Sequence, residues 1–159
     1  MVFKVGDKVV YPMHGAGVIE AIEEKVVLGA RRSYYVMHLS VGGMRVMIPT
    51  TGSSHVGLRE VILSQEVPRV IEVLRGQRSK MPPNWNHRYR ANLEKMKTGS
   101  IFDVAEVVRD LASREREKGL STGERKMLEN ARQILISELV LVQDISPSKA
   151  TTLVNDLLA

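Results

Sequence analysis

Two hydrophobic periodicities divide the chain. Up to Pro49, apolar residues alternate with polar ones in short runs broken by glycine and proline; from Pro68 onward they recur every three or four positions. The first pattern predicts strands at Lys8–Tyr11, Val18–Ile22, Glu23–Leu28, Ser33–Ser40 and Met44–Pro49. Turns are expected at His14-Gly15-Ala16-Gly17, in the stretch Gly29 to Arg32 and at Gly42-Gly43. Five short strands at such regular spacing predict a small, strongly bent barrel of about 55 to 60 residues. Thr50 to Gly57 reads as a polar loop.

The second pattern predicts helices, each marked by its ends. Pro68 opens a short one with Val70, Ile71, Val73 and Leu74 on one side, stopped near Gly76. Asn84 caps the next, to about Lys97. Ser100 with Asp103, and Ser121 with Glu124, are capping-box patterns for two longer helices, and Ser146-Pro147 starts the last. The expected fold class is therefore α+β in two domains. A β-barrel over residues 1–66 precedes an all-α helical bundle over 67–159, with a linker at about 67–83.

Composition narrows the function classes. With 159 residues, 43% of them hydrophobic, the chain can bury one moderate core or two small ones. There is no cysteine, which removes disulfides and thiolate metal sites. No apolar run approaches the roughly 20 residues that span a bilayer, so no membrane role and a cytoplasmic location are expected. The four histidines, His14, His38, His55 and His87, show no metal-ligand spacing. Neither a nucleophile elbow nor a phosphate loop is present: His14-Gly15-Ala16-Gly17 lacks the Gly-Lys-Ser/Thr ending, and a strand follows it. No enzyme, cofactor or metal is expected.

Charge changes the picture more than its total of +5 implies. Residues 1–66 carry net +1, residues 67–100 net +6 and residues 101–159 net −2. The basic excess thus falls on the stretch that holds the one tryptophan, in Asn84-Trp85-Asn86-His87-Arg88-Tyr89-Arg90. A cationic patch attracts a polyanion through counterion release. An aromatic ring beside it can stack on bases or wedge between them. The candidate DNA contacts are Trp85, His87, Arg88, Arg90 and Lys95, with Arg125 and Lys126 opening a later helix. The alternative is that Trp85 merely begins the apolar stripe Trp85, Tyr89, Leu93, Met96 and lies in the core. In the barrel, Met44, Arg45 and Met47 fall on a predicted edge strand suited to adding to another protein's sheet, with Arg45 as an isolated cation.

Several of these stretches resemble one family. Phe3-Lys4-Val5-Gly6-Asp7-Lys8-Val9-Val10-Tyr11-Pro12 with His14-Gly15-Ala16-Gly17 resembles the start of the CarD/CdnL family of bacterial transcription regulators. Asn84-Trp85 through Arg88-Tyr89-Arg90-Ala91-Asn92-Leu93-Glu94-Lys95, Ala105-Glu106-Val107-Val108-Arg109-Asp110-Leu111, Gly119-Leu120-Ser121 and Ala131-Arg132-Gln133-Ile134-Leu135 resemble its helical domain. The resemblance implies a Tudor-like barrel that binds the RNA polymerase β subunit, similar to the polymerase-interacting module of transcription-repair coupling factors. It implies a helical domain that contacts promoter DNA at the upstream edge of the transcription bubble, largely independently of sequence.

By the same resemblance Trp85 matches a tryptophan that wedges into the minor groove and resists bubble collapse, and Arg45 matches a basic position used against polymerase. Lys25 falls in the polymerase-contacting surface, where a lysine lacks the planar fork of arginine. His87 stands where a permanently charged side chain would be easier to rationalise. The function implied is a non-enzymatic regulator that stabilises the open promoter complex, acting as a monomer. A protein-interaction adaptor with Trp85 in its core is the alternative, and general duplex binding a third reading.

Overall fold

In the computed structural model, which describes residues 3–51 and 57–159, the two periodicities become a five-stranded antiparallel sheet followed by five helices. The strands are β1 (Lys8–Tyr11), β2 (Gly15–Val27), β3 (Ala30–Leu39), β4 (Arg45–Pro49) and β5 (Arg59–Glu60), in spatial order β4-β3-β2-β1-β5. The predicted runs Val18–Ile22 and Glu23–Leu28 are one strand, β2, and the fifth strand is instead Arg59–Glu60. The predicted break at Ile22/Glu23 is only where β2 leaves the core and its residues become exposed, while the pairing runs on; the irregularity in that pairing is a bulge, a register shift between Ile19 and Ala21.

The first turn is also shorter than predicted. Gly15 already pairs with Tyr11 and Gly17 with Val9, so Gly15 to Gly17 belong to β2. Gly17 is required there, because a Cβ would lie 2.3 Å from the carbonyl oxygen of His38 on β3. The β2–β3 hairpin is closed by Leu28 and Gly29, both with positive φ. The predicted loop over Thr50 to Gly57, with His55, falls mostly outside the described residues.

The sheet encloses its own core of Phe3, Val9, Ile19, Tyr35, Met37, Leu39, Ile48 and Leu58. The Tyr35 hydroxyl accepts the Phe3 N–H at 3.0 Å, satisfying the polar end of a buried ring.

A 3-10 turn at Ser64–Glu66 leads into α1 (Val67–Arg75), followed by α2 (Trp85–Lys97), α3 (Ile101–Glu117), α4 (Thr122–Gln143) and α5 (Pro147–Leu158). Asn84, Ser121 and Ser146 cap their helices as expected. Ser100 is an N-cap by position but makes no side-chain cap bond; Thr98 takes over the turn, its hydroxyl donating to the Asp103 carboxylate at 2.7 Å and accepting the Ser100 N–H at 3.2 Å.

Residues 67–75 are not linker. Val67, Val70 and Leu74 lie in the same buried cluster as Leu111, Leu135 and Val154. Even the irregular segment after α1 is tethered: Ser79 N–H donates to Asp110 at 3.0 Å, and Arg109 donates to Val73 carbonyl and Ser79 hydroxyl. The sheet and the bundle meet along β2 and α4. There the Ala16 N–H donates to Ser137 Oγ at 2.8 Å, and the Ser40 hydroxyl donates to the Ser137 carbonyl at 2.8 Å. A Cβ on Gly15 would lie 3.0 Å from the same Ser137 oxygen, so glycine permits that approach.

Candidate nucleic-acid interface

Trp85 is the first residue of α2 and is 52% exposed, outside the helical core. Its helix buries a different stripe from the one periodicity picked out. Arg88, Asn92 and Met96 are the buried residues, while Tyr89 and Leu93 pack only partly against the core. The rotation follows from a partner that an apolar pattern does not register. Arg88 Nε and Nη2 reach Glu124 Oε2 and Oε1 at 2.7 and 3.0 Å, a fork-to-fork pair, and Nη1 donates to the carbonyls of Pro82 and Pro83.

Arg88 therefore departs from its expected role as a DNA contact. Its side chain is 4% exposed and its donors are committed within the protein. It is a positioning residue, and what it positions is the turn that carries Trp85. Glu124 is at once its counterion and the third residue of the α4 capping box, receiving Ser121 N–H and hydroxyl while Ser121 Oγ accepts Glu124 N–H.

The hydrogen bonds from Arg88 hold the Glu124 carboxyl below the usual carboxylate range, over an opposing push from burial, with Ser121 and the Arg88 charge adding to the lowering. Hydrogen bonding to Glu124 likewise raises Arg88, against desolvation. Both groups stay ionised across the neutral range.

This pair locks the first turn of α2 onto the first turn of α4. Trp85 and His87 open one helix, and Arg125 and Lys126 open the other; all four are exposed. Close packing continues beside them, since a Cβ on Gly123 would sit 3.7 Å from the Tyr89 ring. Arg90 is exposed on the next turn. Lys95 is not part of this group: it is ten residues, or about 15 Å of helix, beyond Trp85, and lies 3.9 Å from Glu106.

The predicted polymerase-contacting residues lie on the sheet. β4 is an edge strand, with Arg45 opposite His38 and Met47 opposite Val36. Met44 and Met47 are exposed at 64% and 39%. Arg45 is not an isolated cation, however: its Nε lies 2.5 Å from Glu20, the residue at the β2 bulge. Lys25 is exposed far along the β2–β3 hairpin, opposite Arg32. Among the described residues no cluster of His, Asp or Glu is arranged to hold a metal ion, and no helix is long and apolar enough to cross a membrane.

Sequence reading missed the residues joining the two halves. Arg59 Nη1 and Nη2 meet Glu138 at 2.9 and 2.7 Å, Arg59 Nε donates to the Gly99 carbonyl at 2.8 Å, and Ile62 N–H donates to Glu138 at 2.9 Å. A signal existed: Ser137 and Glu138 interrupt the apolar run from Ile134 to Leu139, and a buried carboxylate requires donors.

A small antiparallel sheet, with β4 at its edge, joined to a helical bundle that carries an exposed tryptophan in a basic setting makes a two-part protein of sheet and helices. The family model described as "CarD-like/TRCF RID domain" matches residues 3–62, and "CarD, C-terminal domain" matches residues 69–155. "Putative transcription factor YdeB" of Bacillus subtilis (strain 168) is 44% identical over 145 residues, 91% of this chain and 94% of the relative. The solved structure "CdnLNt from Myxoccoccus xanthus" is 48% identical, covering 39% of this chain and 87% of that one, with a TM-score of 0.34. The chain belongs to the CarD-like family of transcription factors.

Proposed function

We propose that this protein ties RNA polymerase to promoter DNA and stabilises the open complex. The edge of β4, with Met44, Arg45 and Met47, and the nearby hairpin bearing Lys25 form the surface for the polymerase β subunit. A free strand edge offers unpaired backbone groups, and exposed methionines add adaptable apolar contact. Trp85 is the element inserted at the upstream edge of the bubble, where His87, Arg90, Arg125 and Lys126 hold phosphates; Arg88 supports the turn from beneath. Lys95 lies outside this contact.

The observation that carries the reading is an exposed tryptophan at a helix start backed by a buried ion pair. An indole kept half in water by a rigid support is ready to leave water for a base stack. The adaptor reading requires a core Trp85, which its exposure opposes.

A wedge that prefers melted DNA to closed duplex shifts the opening equilibrium by its differential affinity, without catalysis. Base stacking of about 1–3 kcal/mol corresponds to a change of roughly 5- to 150-fold in the open population. Open-complex lifetime, measured with wild type and Trp85→Ala at saturating protein, tests the proposal. A shortened lifetime with the variant supports the wedge; equal lifetimes sink it.

A further inference from the structure

Away from Trp85, a cavity of about 410 Å³ opens where α1, α3 and α5 end, and its lining includes Arg75, Arg78, Arg109, Arg116 and Glu117. Four guanidinium groups and one carboxylate side chain line it, together with Ala159, and Arg109 is further paired with the buried Asp110 at 3.0 Å. Part of this charge serves the fold. Arg109 donates to the Val73 carbonyl and Arg116 to the Leu158 carbonyl, which satisfies the ends of α1 and α5. Arg78 is paired with Glu117 at 2.8 Å. Arg75 differs from the other three: it is exposed, lines the cavity, and its side chain makes no hydrogen bond or ion pair among the described residues. The helix ends and Asp110 account for Arg109 and part of Arg116, and Glu117 for part of Arg78, leaving the Arg75 guanidinium and further donors of Arg78 and Arg116 uncommitted among the described residues at the cavity.

We propose that this cavity binds a phosphate group, gripped by Arg75, Arg78 and Arg116 over a floor fixed by Arg109. Planar guanidinium forks match the tetrahedral oxyanion in pairs, and Arg109 needs no rearrangement because Ser79, Asp110 and Val73 already hold it. The source favoured is the DNA backbone. The segment from Gly76 to Asn84 leaves the cavity and ends at Trp85, and it is tied down by Ser79–Asp110 and by Arg88 on Pro82 and Pro83. The cavity and the tryptophan therefore stand at two ends of one anchored strand of chain, giving the duplex a second, backbone-only foothold. This source rests on the DNA-binding reading proposed above; phosphate chemistry in the cavity does not.

The test uses the full chain, with Arg75→Ala, Arg75→Lys and Trp85→Ala. Arg75 holds nothing else in place, so its variants are expected to fold. In one arm, pyrophosphate is titrated while arginine side-chain NMR signals are followed. Wild type shifts Arg75, Arg78 and Arg116 together, and Arg75→Ala loses the response. In the other arm, affinity for a bubble-containing duplex is measured against salt. Arg75→Ala lowers the log–log slope by about one and Arg75→Lys retains it, as for loss of a single phosphate contact.

A response to pyrophosphate with an unchanged DNA slope upholds the phosphate site but overturns the DNA backbone as its source. No response in either arm, with wild type and Trp85→Ala differing on DNA, overturns the site while leaving the wedge standing. If wild type fails to bind DNA at all, the pyrophosphate arm still decides the site by itself.

Discussion

Arg59, on the last strand of the sheet, forms a two-pronged ion pair with Glu138 in the C-terminal part of α4, and Glu138 is 1% exposed. The pair joins the sheet to the helical bundle through groups that would be costly to leave alone. Removing one partner of a buried pair strands the other charge. Glu138 also receives the Ile62 N–H, so the same carboxylate fixes the chain just before it enters the bundle.

Glu138→Gln is expected to lower stability by about 3 kcal/mol, the range for breaking a buried pair. It should also loosen the two halves from each other. Calorimetry should resolve two transitions where wild type gives one, and small-angle scattering should show a larger radius of gyration. A single unshifted transition would remove the latch role.

Arg88→Ala should cost about 3–5 kcal/mol by stranding Glu124. Arg88→Met combined with Glu124→Leu should recover much of this loss, since an apolar pair of similar volume avoids the desolvation of both charges. Chemical denaturation of the single and double variants measures the difference. If Arg88→Ala is as stable as wild type, the turn is not held as described.

Acid should weaken the same contact. Glu124 has a carboxyl pKa lowered in the folded state, so its contribution is complete above the unfolded carboxylate value and is lost as pH falls through the lowered folded value. A Glu124→Gln variant should be less stable near neutrality and show a flatter decline of stability on its acid side. Parallel wild-type and variant curves would contradict that assignment.

Trp85→Ala should change stability by less than about 1 kcal/mol, because a half-exposed first-turn side chain supports little of the core. Wild-type emission should be that of a solvent-exposed indole, open to quenchers, and should change when bubble-containing DNA is added. A blue-shifted, protected emission in the free protein would contradict the exposed placement.

The alternation before Pro49 and the capped helical runs after Pro68 were enough to divide sheet from bundle. Local chemistry determined both: a turn residue, a cap or an alternation acts within a few positions of itself, so its effect can be read from neighbours. That is why Asn84, Ser121 and Ser146 were legible as caps. The bulge in β2 was not, because a bulge is defined against a partner strand and leaves only a slip in the pattern.

The candidate site divides in the same way. The sequence determined that the basic charge and the tryptophan share one stretch, and that the chain is built of two kinds of structure. Only the tertiary structure decided which cations remain free. Arg88 and Arg90 stand two residues apart with the same side chain; one faces Glu124, 36 positions away, and is buried, while the other remains exposed. Nothing local separates them, because an ion pair depends on distance in space and on the water excluded around it. Exposure of Trp85 was decided likewise, by Arg88, Asn92 and Met96 turning to the core and leaving the first residue of the helix outside.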